Sequence, residues 1–288
     1  MLIIGKRVQQ RWKLVFSYLG GKKFQAKWIA SQFSKHNTYV EPFGGAYWVY
    51  FVANHQMDQA HTNVYNDFNK DIANIFYCAR YKDREFSKSL LSFKPQVKEI
   101  FNQFKKDLIP FNTDFQLGDV VRATKYIYLQ TQSFSGDTLN EKTKFVDLKG
   151  KYKSKYQHFT DKINDKKWLY FIKGITHIHN ESYETIVDMY DKKDTLFYVD
   201  PPYYKMEDYY VKDFQRSQHL DLANKLKQIK GNFVLSYYDF PNLQKWFPKD
   251  EYTWIEKEFN KQNASKNKGA GKGKEVLIMN YKPALTLE

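Results

Sequence analysis

The sequence predicts an α/β protein: a doubly wound sheet built from both ends of the chain, with a mostly helical domain inserted between them. Three observations carry this. Short apolar strands alternate with amphipathic helices over residues 1–80, the alternation is lost over 81–189, and it returns over 190–288. The outer stretches therefore read as one discontinuous domain and the middle as its insertion. At 288 residues and 42% hydrophobic content, the chain can hold one large core with such an addition.

The first elements follow a recognisable order. "FQAKWIASQF" reads as a helix and follows the glycine pair of "YLGGKK" (Tyr18 to Lys23), which lacks the spacing of a P-loop. "NTYVEPFGG" is a strand ending in a glycine turn, and "AYWVYFVANH" is the helix after it. "HTNVYND" (His61 to Asp67) is the next strand, followed by the helix "NKDIANIFYCARY". Strand, glycine turn, helix, strand, acid is the order of a nucleotide-binding βαβ unit. Gly44 and Gly45 let backbone pass close to a ligand, and Asp67 falls where such a unit places its ribose-binding acid.

In the middle, "KDREFSKSLLSFKPQVKEIFNQFKKDLI" and "DVVRATKYIYLQ" read as helices. A loop-and-strand segment follows, with turns at Ser135-Gly136 and Lys149-Gly150. Within it, "KGKYKSKYQHF" alternates lysines with tyrosines, which suits phosphates and stacked bases or a solvated basic edge strand. "THIHNE" sets His177 and His179 on one face of a strand, without a third metal ligand nearby. The α/β rhythm then resumes with the buried strand "TLFYVD". The helix "SQHLDLANKLKQIKG" has Ser217 as its expected N-cap and Gly231 as its stop. "NFVLSYYD" and "EVLIMNY" are the last strands, joined by a Gly/Lys-rich loop with no apolar anchor.

The most specific stretch is "LFYVDPPYY", Leu196 to Tyr204. Consecutive prolines cannot continue a helix or a central strand, because neither has an N–H to donate. Asp200 then stands at a strand tip, where open α/β sheets bind ligands. The Pro201 carbonyl is stiffened by Pro202, and Tyr203 offers a flat face. A carboxylate and a carbonyl match the two N–H bonds of a nucleobase amine. They also favour a tetrahedral nitrogen and stabilise its developing positive charge, which adenine N6 needs because its lone pair is delocalised into the ring. Stacking on Tyr203 would hold a base swung out of a duplex.

The formal charge of +14 points to a polyanionic partner. No apolar run approaches the ~20 residues of a spanning helix, and "MLIIGKRVQQRWK" lacks a signal-peptide layout, so no membrane role is expected. The single cysteine, Cys78, fits a reducing cytoplasm.

With these residues in hand, the chain resembles the DNA adenine methylase family, whose cofactor motif precedes the catalytic one. "VDPPYY" is similar to the family's catalytic tetrapeptide, "YVEPFGGAYWVYF" to its cofactor motif, "YNDFNKDI" to its acidic motif and "YLGGKK" to its N-terminal motif. The resemblance implies a Rossmann-like methyltransferase sheet and methyl transfer from S-adenosyl-L-methionine to adenine N6 in double-stranded DNA, without a metal. It implies catalytic roles for Asp200, Pro201, Pro202 and Tyr203, and cofactor contacts from Tyr18, Lys22, Glu41, Phe43, Gly45, Asp67 and Asp200. Asp67 would take the ribose hydroxyls and Lys22 the methionine end. The chain departs from the family at Tyr47, where a small residue is usual and a ring could narrow the cofactor site. A DNA-binding protein with a decayed pocket, and an amino-methyltransferase acting on RNA or cytosine N4, are the alternatives. A monomer or weak dimer is expected.

For DNA contacts, Lys151, Lys153, Lys155, Lys266, Lys268, Lys272 and Lys274 are the expected phosphate anchors, and Gln130, Gln132 and Asn140 the expected base readers. Lysine is a flexible point charge, whereas bidentate base contacts come from arginine and amide side chains. No arginine lies between Gln130 and Phe159, so loose sequence specificity is expected. Replacing Lys266, Lys268, Lys272 and Lys274 together with Gln is expected to weaken binding to all sequences alike and to flatten its salt dependence, as titrations of several duplexes at two salt concentrations would read.

Overall fold

The computed structural model describes residues 21–56, 61–109, 114–133, 139–140, 142–148, 154–203, 214–260 and 272–283. Tyr18, Lys151, Lys153, Lys266 and Lys268 lie outside the described residues, as do the expected turns at Ser135-Gly136 and Lys149-Gly150. The chain runs α1 (Ala26–Ala30), β1 (Thr38–Glu41), α2 (Trp48–Gln56), β2 (Thr62–Asn66) and α3 (Lys70–Tyr81). The helices α4 (Asp83–Leu91), α5 (Lys98–Leu108), α6 (Val120–Gln132), α7 (Lys155–Ile163) and α8 (Lys166–Lys173) come next. The sheet then resumes with β3 (His177–His179), α9 (Tyr183–Tyr190), β4 (Thr195–Val199), α10 (Arg216–Leu226) and β5 (Asn232–Tyr237). The last elements are α11 (Leu243–Trp246), β6 (Thr253–Asn260) and β7 (Lys272–Met279).

The seven strands form one sheet in the order β3-β2-β1-β4-β5-β7-β6. This is a Rossmann-like order, typical of class I S-adenosylmethionine-dependent methyltransferases. The first five strands are parallel, and β7 is inserted antiparallel between β5 and β6. Every residue of β4 is buried, as a central parallel strand covered on both faces requires. Alternation along it sorts the core into two layers. Leu196 and Tyr198 face a cluster with α1, α2 and α3, whereas Phe197 and Val199 face one with α9, α10 and α11. The sheet is therefore doubly wound, as the sequence predicts.

The inserted region differs in detail from its sequence reading. Residues 81–189 are expected as an inserted target-recognition domain, yet β3 pairs in parallel with β2, Val64 opposite His177, so the sheet takes the chain back before residue 190. Helices α4 to α8 also bury Phe86, Phe101, Tyr128 and Trp168 in the same cluster as Ile29 and Tyr50. The inserted helices therefore pack against one layer of the core. Of the lysine–tyrosine stretch, residues 154–159 are described, and they are not a strand: Ser154 starts α7 with a capping box to Gln157, which satisfies the first N–H groups of a helix. Tyr156 is buried, its hydroxyl donating to the Leu90 carbonyl at 2.6 Å, so it has no face for a base. Further on, Gln215 rather than Ser217 caps α10, and the helix ends at Leu226, before Gly231. Strand β6 is not foreseen, because "TWIEKEFN" carries three consecutive charges, Glu256, Lys257 and Glu258, which break the period-two alternation of a half-buried strand; its pairing with β7 makes it one.

Gly44 shows why the turn after β1 needs glycine. Its N–H donates to the Asn66 carbonyl at 2.7 Å, and a Cβ there would sit 2.7 Å from Tyr65 Cδ2 and 2.9 Å from that same carbonyl oxygen. Tyr65 cannot yield freely, since its buried ring packs on Phe76 with centroids 4.3 Å apart. Gly44→Ala is therefore expected to lower the unfolding free energy by about 1–3 kcal/mol, as measured by urea denaturation.

Candidate active site

Three adjacent parallel strands, β2, β1 and β4, end side by side, and each delivers an acid at its carboxyl edge: Asp67 after β2, Glu41 closing β1 and Asp200 after β4. A pocket at this edge is lined by Lys22, Glu41, Phe43, Gly45, Asp67 and Asp200 among others, which brings six of the expected cofactor-site residues together. Pro201 and Pro202 border the same pocket.

At one end, Asp67 is held by two backbone N–H groups: Gly45 N–H donates to Oδ2 and Asn69 N–H to Oδ1, each at 2.8 Å. Gly45 reaches this position with φ +49°, a left-handed conformation that glycine adopts at no cost. Burial pushes the Asp67 carboxyl up to about 6, with the two N–H groups acting in the opposite direction. Each oxygen keeps acceptor capacity beyond its single N–H, which suits a vicinal diol. Along the wall, Phe43 stacks on Tyr183 with centroids 5.4 Å apart and meets Phe214 edge-on at 5.6 Å. These rings form an apolar side of the pocket.

At the other end lies a buried charge cluster. Lys22 Nζ, only 6% exposed, is 2.8 Å from Asp200 Oδ1 and 3.5 Å from Glu275 Oε1, and it donates to the Tyr203 hydroxyl at 2.5 Å. Burial pushes the Asp200 carboxyl up to about 6; the Lys22 ammonium pulls it down and Glu275 adds to the rise. For Lys22, burial favours the neutral amine, but Asp200 and Glu275 outweigh it and hold the ammonium above its ordinary range. Glu41 accepts from the Tyr39 hydroxyl at 2.6 Å and from Tyr50 N–H at 3.1 Å, both on Oε1. Burial raises its carboxyl well above the usual range. An ammonium and a carboxylate at one end of a pocket, with aromatic rings and a diol acceptor toward the other, match an amino-acid zwitterion joined to a nucleoside.

Tyr47 borders this pocket, yet its ring stacks on Tyr50 at 4.4 Å and its hydroxyl donates to the Val64 carbonyl at 3.1 Å. The ring is thus turned into the core. Its φ of +57° explains why a small residue suits the position, since a side chain in the left-handed region is strained.

The residues expected to read bases fall elsewhere. Gln130 and Gln132 are 2% and 1% exposed in α6, and Gln132 Oε1 takes the Gln96 side-chain amide at 3.1 Å. Their amides do not face a groove, because this stretch of α6 is an inner helix whose positions from Tyr126 to Gln132 are all buried. Asn140 is exposed, with Oδ1 accepting from Lys142 N–H at 2.8 Å. Lys155 is exposed at the start of α7, and Lys274 is exposed and paired with Glu256. Lys272 opens β7. His177 and His179 do lie together on β3, where His179 Nε2 meets the Tyr190 hydroxyl at 2.8 Å. No group of three or more metal-ligating side chains occurs among the described residues, and no described helix is long and apolar enough to cross a membrane.

Sequence reasoning missed Tyr183, Phe214, Ser236 and Glu275. Tyr183 had a readable signal: Ser182 caps α9 just after β3, a strand–turn–helix step like those after β1 and β2. Glu275 had none, because its place at the edge depends on the reversed direction of β7.

Comparison with known proteins agrees with this geometry. The family model of the D12 class N6 adenine-specific DNA methyltransferases matches residues 18–263, and the chain belongs to that family. It is also similar to the Type II methyltransferase M.CviBI of Paramecium bursaria Chlorella virus NC1A. The two are 25% identical over 230 residues, 77% of this chain and 82% of that protein.

The buried acids of the site make folding sensitive to pH. Asp67 titrates near 6 in the folded chain and near 3.9 when unfolded, so the folded state holds its proton where the unfolded state releases it. Its contribution to stability is full below the unfolded value and declines as pH rises to about 6. The stability of wild type minus that of Asp67→Ala is therefore expected to fall by about 1–3 kcal/mol between pH 4 and pH 7, read from urea denaturation at each pH.

Proposed function

We propose that this member of the D12 class transfers the methyl group of S-adenosyl-L-methionine to N6 of an adenine rotated out of double-stranded DNA. The observation that carries the reading is Asp200, at the tip of β4, followed by the Pro201 carbonyl and opening on the pocket that runs to Asp67. The residues present fit the cofactor. Asp67 would take the ribose hydroxyls, Phe43 and Tyr183 would border the apolar portion, and Lys22 with Glu41 would meet the charged methionine end. When bound, the cofactor supplies a methyl made electrophilic by its sulfonium.

The chain's own residues have three tasks. Asp200 and the Pro201 carbonyl accept the two N6–H bonds, which aims the nitrogen lone pair at the methyl and stabilises positive charge as the N–C bond forms. Asp200 would also take the proton that N6 gives up, while the electron pair of the broken methyl–sulfur bond would leave with the cofactor's sulfur. Tyr203 presents a ring whose orientation is fixed by stacking on Tyr237, 5.2 Å away and inclined by 18°. This ring, which the Lys22 ammonium approaches to 4.6 Å from its centroid, would be the platform for the base. An aspartate at position 200, where cytosine N4 enzymes more usually carry serine, supports adenine as the target. The surplus of lysine supports DNA as its carrier.

Incubation with labelled cofactor and unmethylated duplex DNA, followed by mapping of the modified bases, tests the whole reading. Asp200→Ala is expected to fold and to lose about 10²–10³ in turnover, because an acceptor is removed where charge develops. A variant that keeps more than about a tenth of wild-type turnover would remove Asp200 from the catalytic step.

A further inference from the structure

Resting on that reading, we propose that Glu275 is a positioning residue of the reaction: it anchors Tyr203 and gives Lys22 a second partner, so that Asp200 is available to the incoming adenine amine. Glu275 is 3% exposed on β7, 72 residues from Tyr203 in sequence. Its Oε1 accepts from the Tyr203 hydroxyl at 2.5 Å and from the Ser236 hydroxyl, and it lies 3.5 Å from Lys22 Nζ. Lys22 in turn donates to the Tyr203 hydroxyl, so ammonium, phenol and carboxylate form a continuous hydrogen-bonded run. The sheet does not need this carboxylate: the backbone of β7 makes the pairing with Lys257 and its neighbours, and an apolar side chain at such a buried position would carry no desolvation cost.

The reaction supplies the reason. An ammonium seated on Asp200 Oδ1 competes for the carboxylate that the adenine amine must engage. With Asp200 as its only carboxylate, Lys22 would be held there by the full attraction of a buried pair. Glu275 and the Tyr203 hydroxyl offer an alternative seat within the same cluster, so Lys22 can stay satisfied when N6 takes the Asp200 oxygen. The same contact fixes the tip of Tyr203 before a base arrives, which lowers the ordering cost of stacking.

The groups facing Asp200 are Lys22 from the segment before α1, Glu41 at the end of β1, Tyr198 on β4 and Glu275 on β7. Among them Glu275 and burial raise the Asp200 carboxyl, and Lys22 lowers it. Neutralising Glu275 therefore moves the titration of Asp200 to lower pH while leaving Lys22 more firmly on it.

The test uses the full chain, S-adenosyl-L-methionine and an unmethylated duplex. Glu275→Gln is expected to lower kcat roughly tenfold or more. The acid limb of its kcat/KM profile is expected to shift to lower pH, with KM for the cofactor changed less than about twofold. A structural defect alone would not move that limb. Tyr203→Phe removes the hydroxyl bridge and keeps the Glu275 charge; kcat is expected to fall about threefold or more, with the acid limb in place. Wild-type kcat and an unmoved limb in Glu275→Gln would overturn the proposal, as would wild-type kcat in Tyr203→Phe, which decides the matter if Glu275→Gln does not fold. A wild-type protein that methylates no DNA is a separate result: it overturns the proposed function, and this inference with it.

Discussion

The ammonium of Lys22 is the constraint around which the site is arranged. A cation at 6% exposure is tolerated only where carboxylates meet it, and here they come from two strands that are far apart in sequence, β4 and β7. Lys22 therefore ties the segment before α1 to the catalytic edge at a sequence separation of 178 residues from Asp200. The turn that carries it is itself anchored, since the Lys22 carbonyl accepts from Ala26 N–H at 2.7 Å as α1 begins. Local helix geometry and long-range charge pairing act on one residue.

The sheet makes such convergence possible. Parallel strands place the ends of β2, β1 and β4 along one edge, so three acids separated by long stretches of chain become neighbours without any local motif linking them. Strand β7 contributes by running the other way. Its register sets Val276 opposite Tyr237 and Leu277 opposite Ser236, which brings its early residues to the edge where the parallel strands finish. A parallel strand in that position would deliver its last residues there instead. The reversal at the end of the sheet thus adds Glu275 to a site otherwise assembled from strand ends.

Much of this was legible from the sequence, for reasons that can be stated. β1, β2, β4 and β5 are short apolar runs bounded by turn residues, and the acid or glycine after each is readable because chemistry at strand tips has strict local demands. Asp200 and Tyr203 are read that way, as the tip of β4 and the residues after it. What failed depended on partners. The insertion reads as separate because its helices change the texture of the chain, yet Phe86 and Trp168 share a core with Ile29, which no local pattern records. Gln130 and Gln132 look like base readers on paper; only tertiary packing of α6 shows them buried. The turn of the Tyr47 ring was equally invisible, since the same residue type can point into a pocket or away from it.

The site also departs from what stability alone would select. Lys22, Glu41, Asp67, Asp200 and Glu275 are charged or titratable groups placed in or beside the core, and burial raises the carboxyls of Glu41, Asp67 and Asp200. Each would be cheaper to fold as an apolar residue of similar size. Tyr47 adds backbone strain at the same edge. By contrast, the ion pair of Arg122 with Asp71, at 2.6 Å and 3.0 Å, joins α6 to α3 away from the pocket and has a complete bidentate geometry. Two kinds of buried charge therefore coexist in one fold. The pair between helices is closed on itself and serves packing. The cluster at the strand ends keeps acceptors oriented toward an open pocket, and its cost is borne by the well-packed layers on either side of the sheet.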